Sequence, residues 1–141
     1  MNVVFADTAY WLALANPFDR HHSRAVELSA SLGAVRLLTT DAVLTEVLNA
    51  HSNGGASVRR AAVEMVERIL LAPTVQVLPF GREAFRKGLA LYRARPDKGY
   101  SLTDCWSMVV MRQRRISQAL TTDRHFEQEG FIALMRERTD H

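Results

Sequence analysis

The chain has 141 residues, the usual size of one domain, and at 48% apolar and 23% charged it reads as folded rather than disordered. Cys105 is the only cysteine, which excludes an intrachain disulfide and suits a reducing compartment. The net charge of +3 comes from sixteen Arg and two Lys; Arg forks suit phosphate, although a solvated Arg-rich surface explains the bias equally well.

Residues 2–6 form a short β-branched and aromatic run, read as a buried strand. Asp7 interrupts the apolar start and no Lys or Arg precedes it, so the pattern of a secretory signal fails. No apolar run approaches the roughly 18 to 20 residues that span a bilayer. A soluble, cytoplasmic protein without a membrane partner is expected.

Helices are predicted over 8–15, ending before Asn16-Pro17, and over 22–32, stopping at Gly33. Residues 36–39 are a second strand, 41–50 a helix, 52–55 a loop, and 57–71 a long helix closed by Ala72-Pro73. A third strand at 75–78 leads to a helix at 82–94, then a polar loop containing Pro96 and Gly99. A helix at 102–114, a fourth strand at 118–121, a helical turn at 124–129 and a final strand at 131–134 complete the order.

Neither a repeat nor a linker divides the chain, so one domain over 1–141 is expected. Strands alternating with helices predict an α/β fold with a central parallel sheet and helices on both faces. Its strand C-terminal ends share one edge, where ligand sites form at the reversal of strand order.

Four acids fall where they can reach that edge. Asp7 follows the first strand, Asp123 the fourth, and each could simply cap the next helix. Asp104 completes the capping-box pattern Ser101-Leu102-Thr103-Asp104. Glu46 resists a capping explanation. Ala42, Val43, Leu44, Val47, Leu48 and Ala50 form a broad apolar stripe, and Glu46 lies within its margin. A carboxylate facing a packed interface is costly unless paired, an Arg being the ordinary partner.

Converging carboxylates repel one another, and a hard divalent cation removes the conflict. The five His and one Cys lack zinc spacing, so no competing metal set is expected. Carboxylate-held Mg²⁺ or Mn²⁺ suits phosphoryl chemistry with water as nucleophile. No Walker-type loop and no Ser-His-Asp or Cys-His set points elsewhere.

The segments Val3-Val4-Phe5-Ala6-Asp7-Thr8, Ser101-Leu102-Thr103-Asp104 and Ala119-Leu120-Thr121-Thr122-Asp123-Arg124-His125-Phe126, with the internal Glu46, resemble the PIN domain. More narrowly they resemble the VapC-type toxins of bacterial toxin–antitoxin pairs, in order along essentially the whole chain. The resemblance implies a three-layer α/β/α sandwich, Mg²⁺- or Mn²⁺-dependent endoribonuclease activity, homodimerisation and inhibition by a VapB-like antitoxin. It makes Asp7 and Asp104 the principal metal ligands, with Glu46 and Asp123 completing the cluster and Thr8, Thr103 and Thr121 supporting it.

Arg59, Arg60, Arg112, Arg114, Arg115 and Arg124 are candidates for RNA phosphate contact, while Tyr10, Trp11 and Trp106 read as core or dimer contacts. Haloacid-dehalogenase-like phosphatases fit poorly because residue 9 is alanine where they carry a second acid. Receiver domains fit poorly because their adjacent acid pair and late lysine are missing. The rival of another class is a non-catalytic binding module that uses the acids to hold a structural ion or a partner's arginine.

Overall fold

The computed structural model describes residues 2–136. Its elements run β1 (Val3–Ala6), α1 (Thr8–Ala15), α2 (His22–Leu32), β2 (Arg36–Thr40), α3 (Asp41–Ala50), α4 (Ala56–Leu71) and β3 (Val75–Leu78). They continue with α5 (Arg82–Ala94), α6 (Leu102–Gln113), β4 (Gln118–Leu120), α7 (Arg124–Gln128) and β5 (Ile132–Ala133). The expected boundaries differ from these by at most one residue at either end.

The sheet is parallel throughout, in the order β3-β2-β1-β4-β5. β1 and β4 are therefore the neighbours at which strand order reverses. Right-handed crossovers put α1 to α4 on one face and α5 to α7 on the other. Helix packing follows that division: α1 touches α2 and α3, α3 touches α4, and α6 touches both α5 and α7. The fold is the expected three-layer sandwich.

β1 is buried beyond its first residue, as a central parallel strand must be when helices cover both faces. Phe5, Phe126, Leu38, Met108, Met111 and Leu120 are the largest wholly buried side chains. Each stabilises the fold by roughly 1.5–3 kcal/mol through removal of apolar surface from water. Tyr10, Trp11 and Trp106 belong to this core, as expected, and are not available as base-stacking platforms.

The apolar stripe of α3 is narrower than its sequence suggests. Val43, Leu44 and Val47 are buried, whereas Leu48 and Ala50 are exposed near the helix end. Glu46 consequently sits half-buried at the margin rather than inside a packed interface.

On the other face α5 and α6 lie close together at Gly88. A Cβ there would stand 3.3 Å from the Leu102 Cδ1 and 3.4 Å from the Trp106 Cβ. That approach seats the first turn of α6, which carries Asp104, against α5.

Candidate active site

Asp7 follows β1 at the switch point, and its backbone N–H donates to the Leu120 carbonyl of β4 at 3.1 Å. It stands at the N-cap position of α1, yet its side chain caps nothing. Its Oδ2 instead accepts a 2.7 Å bond from the Thr121 hydroxyl, across the gap between β1 and β4. Thr121 also accepts from the Asp123 N–H at 3.1 Å, which ties the two acids to one hydroxyl.

Burial dominates the electrostatics of Asp7 and raises its carboxyl. The Thr121 bond opposes the rise, the charges of Asp104 and Glu46 add to it, and the result is about 7. Asp104 is raised as well, by burial first; its Ser101 backbone bond opposes this, and repulsion from Asp123 and Glu46 adds to it. Each principal acid thus feels the others through space.

Glu46 points to this edge from α3 and accepts a 2.5 Å bond from the Thr8 hydroxyl. The arginine partner that would explain it without a ligand is missing among the described residues. Asp104 does form the capping box, exchanging bonds of 3.0 and 3.2 Å with Ser101. Asp123 caps α7 by accepting from the His125 N–H at 2.9 Å. Two of the four acids therefore also serve as helix caps. The Thr103 hydroxyl bonds none of the acids; only its backbone carbonyl is engaged, by Ser107.

One member of the site was not expected from the sequence. His125 Nδ1 lies 3.2 Å from Asp123 Oδ1 and 3.7 Å from Asp104 Oδ2. This nitrogen is buried without a hydrogen bond. One ligand atom from each of Asp104, Asp123 and His125 falls within a 4.8 Å group that can hold a metal ion. Zinc spacing, the only signal sought among the histidines, does not single out His125 beside the acids. The available signal was the Asp-x-His spacing, since a residue two past an N-cap turns back beside the cap in a helix's first turn. Asp7 and Glu46 fall outside this tightest group and flank it from β1 and α3.

The donor set suits a hard divalent cation. It is rich in carboxylate oxygen, contains an orphaned nitrogen, and has no Lys or Arg paired to any of the four acids among the described residues.

The candidate RNA arginines are dispersed. Arg112 bonds Glu129 and lies 5.4 Å from the Phe131 ring centre, Arg114 reaches Gln76, and Arg59 bonds the Ser52 carbonyl.

A PIN domain family model matches residues 4–132. The 23S rRNA-specific endonuclease VapC20 of Mycobacterium tuberculosis is 30% identical over 138 residues, spanning 96% of this chain and all of that protein. The crystal structure of VapC20, described as a Sarcin-Ricin loop cleaving toxin, superposes with a TM-score of 0.81 at 29% identity, covering 92% of this chain and 96% of the other. VapBC2 of Rickettsia felis, bound to a promoter DNA fragment, has a TM-score of 0.63 at 13% identity, covering 93% of this chain and 96% of the other. FitAcB of Neisseria gonorrhoeae has 0.61 at 16%, covering 92% and 94%. These last two share the fold.

Proposed function

The chain belongs to the PIN domain family, and we propose that it is a metal-dependent endoribonuclease, the toxin of a toxin–antitoxin pair. A single domain over 1–141 carries the activity. The observation that carries the reading is the set of acids at the β1–β4 switch point, buried or half-buried, mutually repelling and without a Lys or Arg partner among the described residues. The likeness to a 23S rRNA-specific endonuclease over 96% of the chain supports RNA as the substrate.

Asp7, Glu46, Asp104 and Asp123 would hold Mg²⁺ or Mn²⁺. Such an ion, when bound, supplies Lewis acidity toward phosphate oxygens and lowers the pKa of water. The chain's own residues prepare the place. Thr121 fixes the Asp7 carboxylate and the Asp123 backbone together, Thr8 fixes Glu46, and the capping box fixes Asp104. These bonds hold the oxygens before substrate arrives, so little reorganisation remains for the reaction itself. Phosphodiester hydrolysis then follows with water as the nucleophile.

A homodimer would give cover to apolar side chains that one helix leaves exposed, such as Phe85, Leu89 and Tyr92 of α5. The cognate antitoxin is a protein that covers or enters the acid site. No helix among the described residues is long and apolar enough to cross a membrane, which is compatible with action in the cytoplasm.

The test is cleavage of purified RNA with and without a chelator. Cleavage should require added Mg²⁺ or Mn²⁺ and should disappear in both Asp7→Asn and Asp104→Asn while each variant stays folded. Cleavage retained by either variant contradicts the assignment and favours a non-catalytic role for the acids.

A further inference from the structure

We infer that the cleft lined by Arg20, His21, Arg24 and Arg136 holds an RNA phosphate neighbouring the one that is cut. This rests on the ribonuclease reading above and assigns that substrate a second contact area.

The cleft and the acid site share a wall. Thr122, which lines the cleft, lies between Thr121, the residue that holds Asp7, and Asp123. Arg136 donates to the Thr122 carbonyl at 3.3 Å, and the Met135 N–H donates to the Thr121 carbonyl at 3.3 Å. The cleft volume of about 440 Å³ lies in the range of small-ligand sites and can take a nucleotide. Its rim carries three guanidinium groups and an imidazole.

The α1–α2 loop that presents Arg20 and His21 is built rather than loose. Asn16 Oδ1 accepts from the Phe18 N–H at 3.0 Å, and Asp19 Oδ1 accepts from the His21 N–H at 2.8 Å. The Asp19 and His22 N–H groups bond the Asn16 and Asp19 carbonyls, and the His22 ring bonds the Ala13 carbonyl at 2.7 Å. Arg20 is exposed and has no carboxylate partner among the described residues.

Arg24 pairs with Glu27 and Arg136 with Glu127, both as exposed ion pairs. Such pairs contribute little and are readily exchanged for phosphate. The Leu134 and Thr122 carbonyls bonded by these two arginines steer them without neutralising them. An edge dense in carboxylates repels a polyanion, so cations alongside it are where an RNA backbone can be held. Arg59 and Arg60, by contrast, line a cleft between the last turn of α3 and α4 that shares no residue with the acids or their hydroxyl partners.

The experiment uses the cleavage-inactive Asp7→Asn chain and a fluorescent RNA hairpin, with binding followed by anisotropy over a salt series. Adding Arg20→Ala and Arg24→Ala should weaken binding about tenfold and reduce the log-affinity against log-salt slope by about 0.7–0.9 per lost contact. Arg20→Lys with Arg24→Lys should restore most of that slope, and Arg59→Ala with Arg60→Ala should leave it unchanged. An unchanged slope in the Arg20/Arg24 variant, or an equal loss from Arg59/Arg60, overturns the cleft assignment. If the wild-type chain still cuts RNA in that case, the nuclease reading stands without it. A wild-type chain that cuts no RNA contradicts the reading beneath.

Discussion

Two buried carboxylates on this fold are treated in opposite ways. Glu129, only 4% exposed at its side chain, receives Arg95 and Arg112 at 2.6 Å each and the Tyr100 hydroxyl at 3.1 Å. Burial acts to raise its carboxyl, but the bonds from both arginines and the tyrosine outweigh it and hold the group below its ordinary value. Asp7, 6% exposed, receives one threonine hydroxyl and is pushed up to about 7. The same chain can therefore satisfy a buried acid with its own cations, and at the sheet edge it does not. An acid cluster left in that condition is relieved either by taking up protons or by a cation from outside.

The two regions are joined. The Tyr100 ring packs against His125, with centroids 5.1 Å apart, while its hydroxyl reaches Glu129. Glu129 links the end of α5, α6 and the end of α7. The paired carboxylate thus builds the frame on which Asp104, Asp123 and His125 are mounted.

This contrast can be broken at several points. The largest effect is expected from Asp7→Asn and Asp104→Asn, which should each lower metal-dependent RNA cleavage at least about a thousandfold in a single-turnover assay. The second concerns pH in chelator. Because the Asp7 pKa is raised on folding, the native state binds more protons between about pH 4 and 7, and stability falls as pH rises through that window. Denaturant melts should show a loss of a few kcal/mol across it, and Asp7→Asn should flatten the curve and be the more stable protein at pH 7. Glu129 has the opposite sign: its contribution is full above its unfolded value of 4.5 and is lost as pH falls through the lower folded value.

Glu129→Gln should lower stability by about 2 kcal/mol with metal present or absent, because two half-exposed arginines lose their shared carboxylate. Urea melts decide this, and a variant as stable as wild type breaks the comparison. The smallest effect is expected from Tyr100→Phe, which keeps the ring against His125 and removes one bond to Glu129. It should cost about 1 kcal/mol and leave cleavage near the wild-type rate.

Much of this architecture was legible in the sequence for local reasons. Gly33, Pro73 and the Ser101 capping box punctuate helices within a few residues of themselves, and β1 declares itself by its apolar run. The strand order was not written locally. It depends on pairings between strands far apart in the chain, such as β1 with β4. The four acids stood out because each has a distinctive neighbourhood. His125 was missed because its role depends on Asp104, a residue of another helix. The Glu129 cluster was missed for the same reason, its partners lying 17 to 34 residues away along the chain. The breadth of the α3 stripe was over-read because apolar residues near a helix end can point past the core.

The most direct measurement is Mn²⁺ binding, followed through loss of the free-ion electron paramagnetic resonance signal, in wild type, Asp7→Asn and Asp104→Asn. Wild type should take up the ion, and each variant should bind it at least about tenfold more weakly, as removal of a charged ligand oxygen requires. Equal binding in all three proteins would mean that these acids do not gather around a common ion, and the central claim would be wrong.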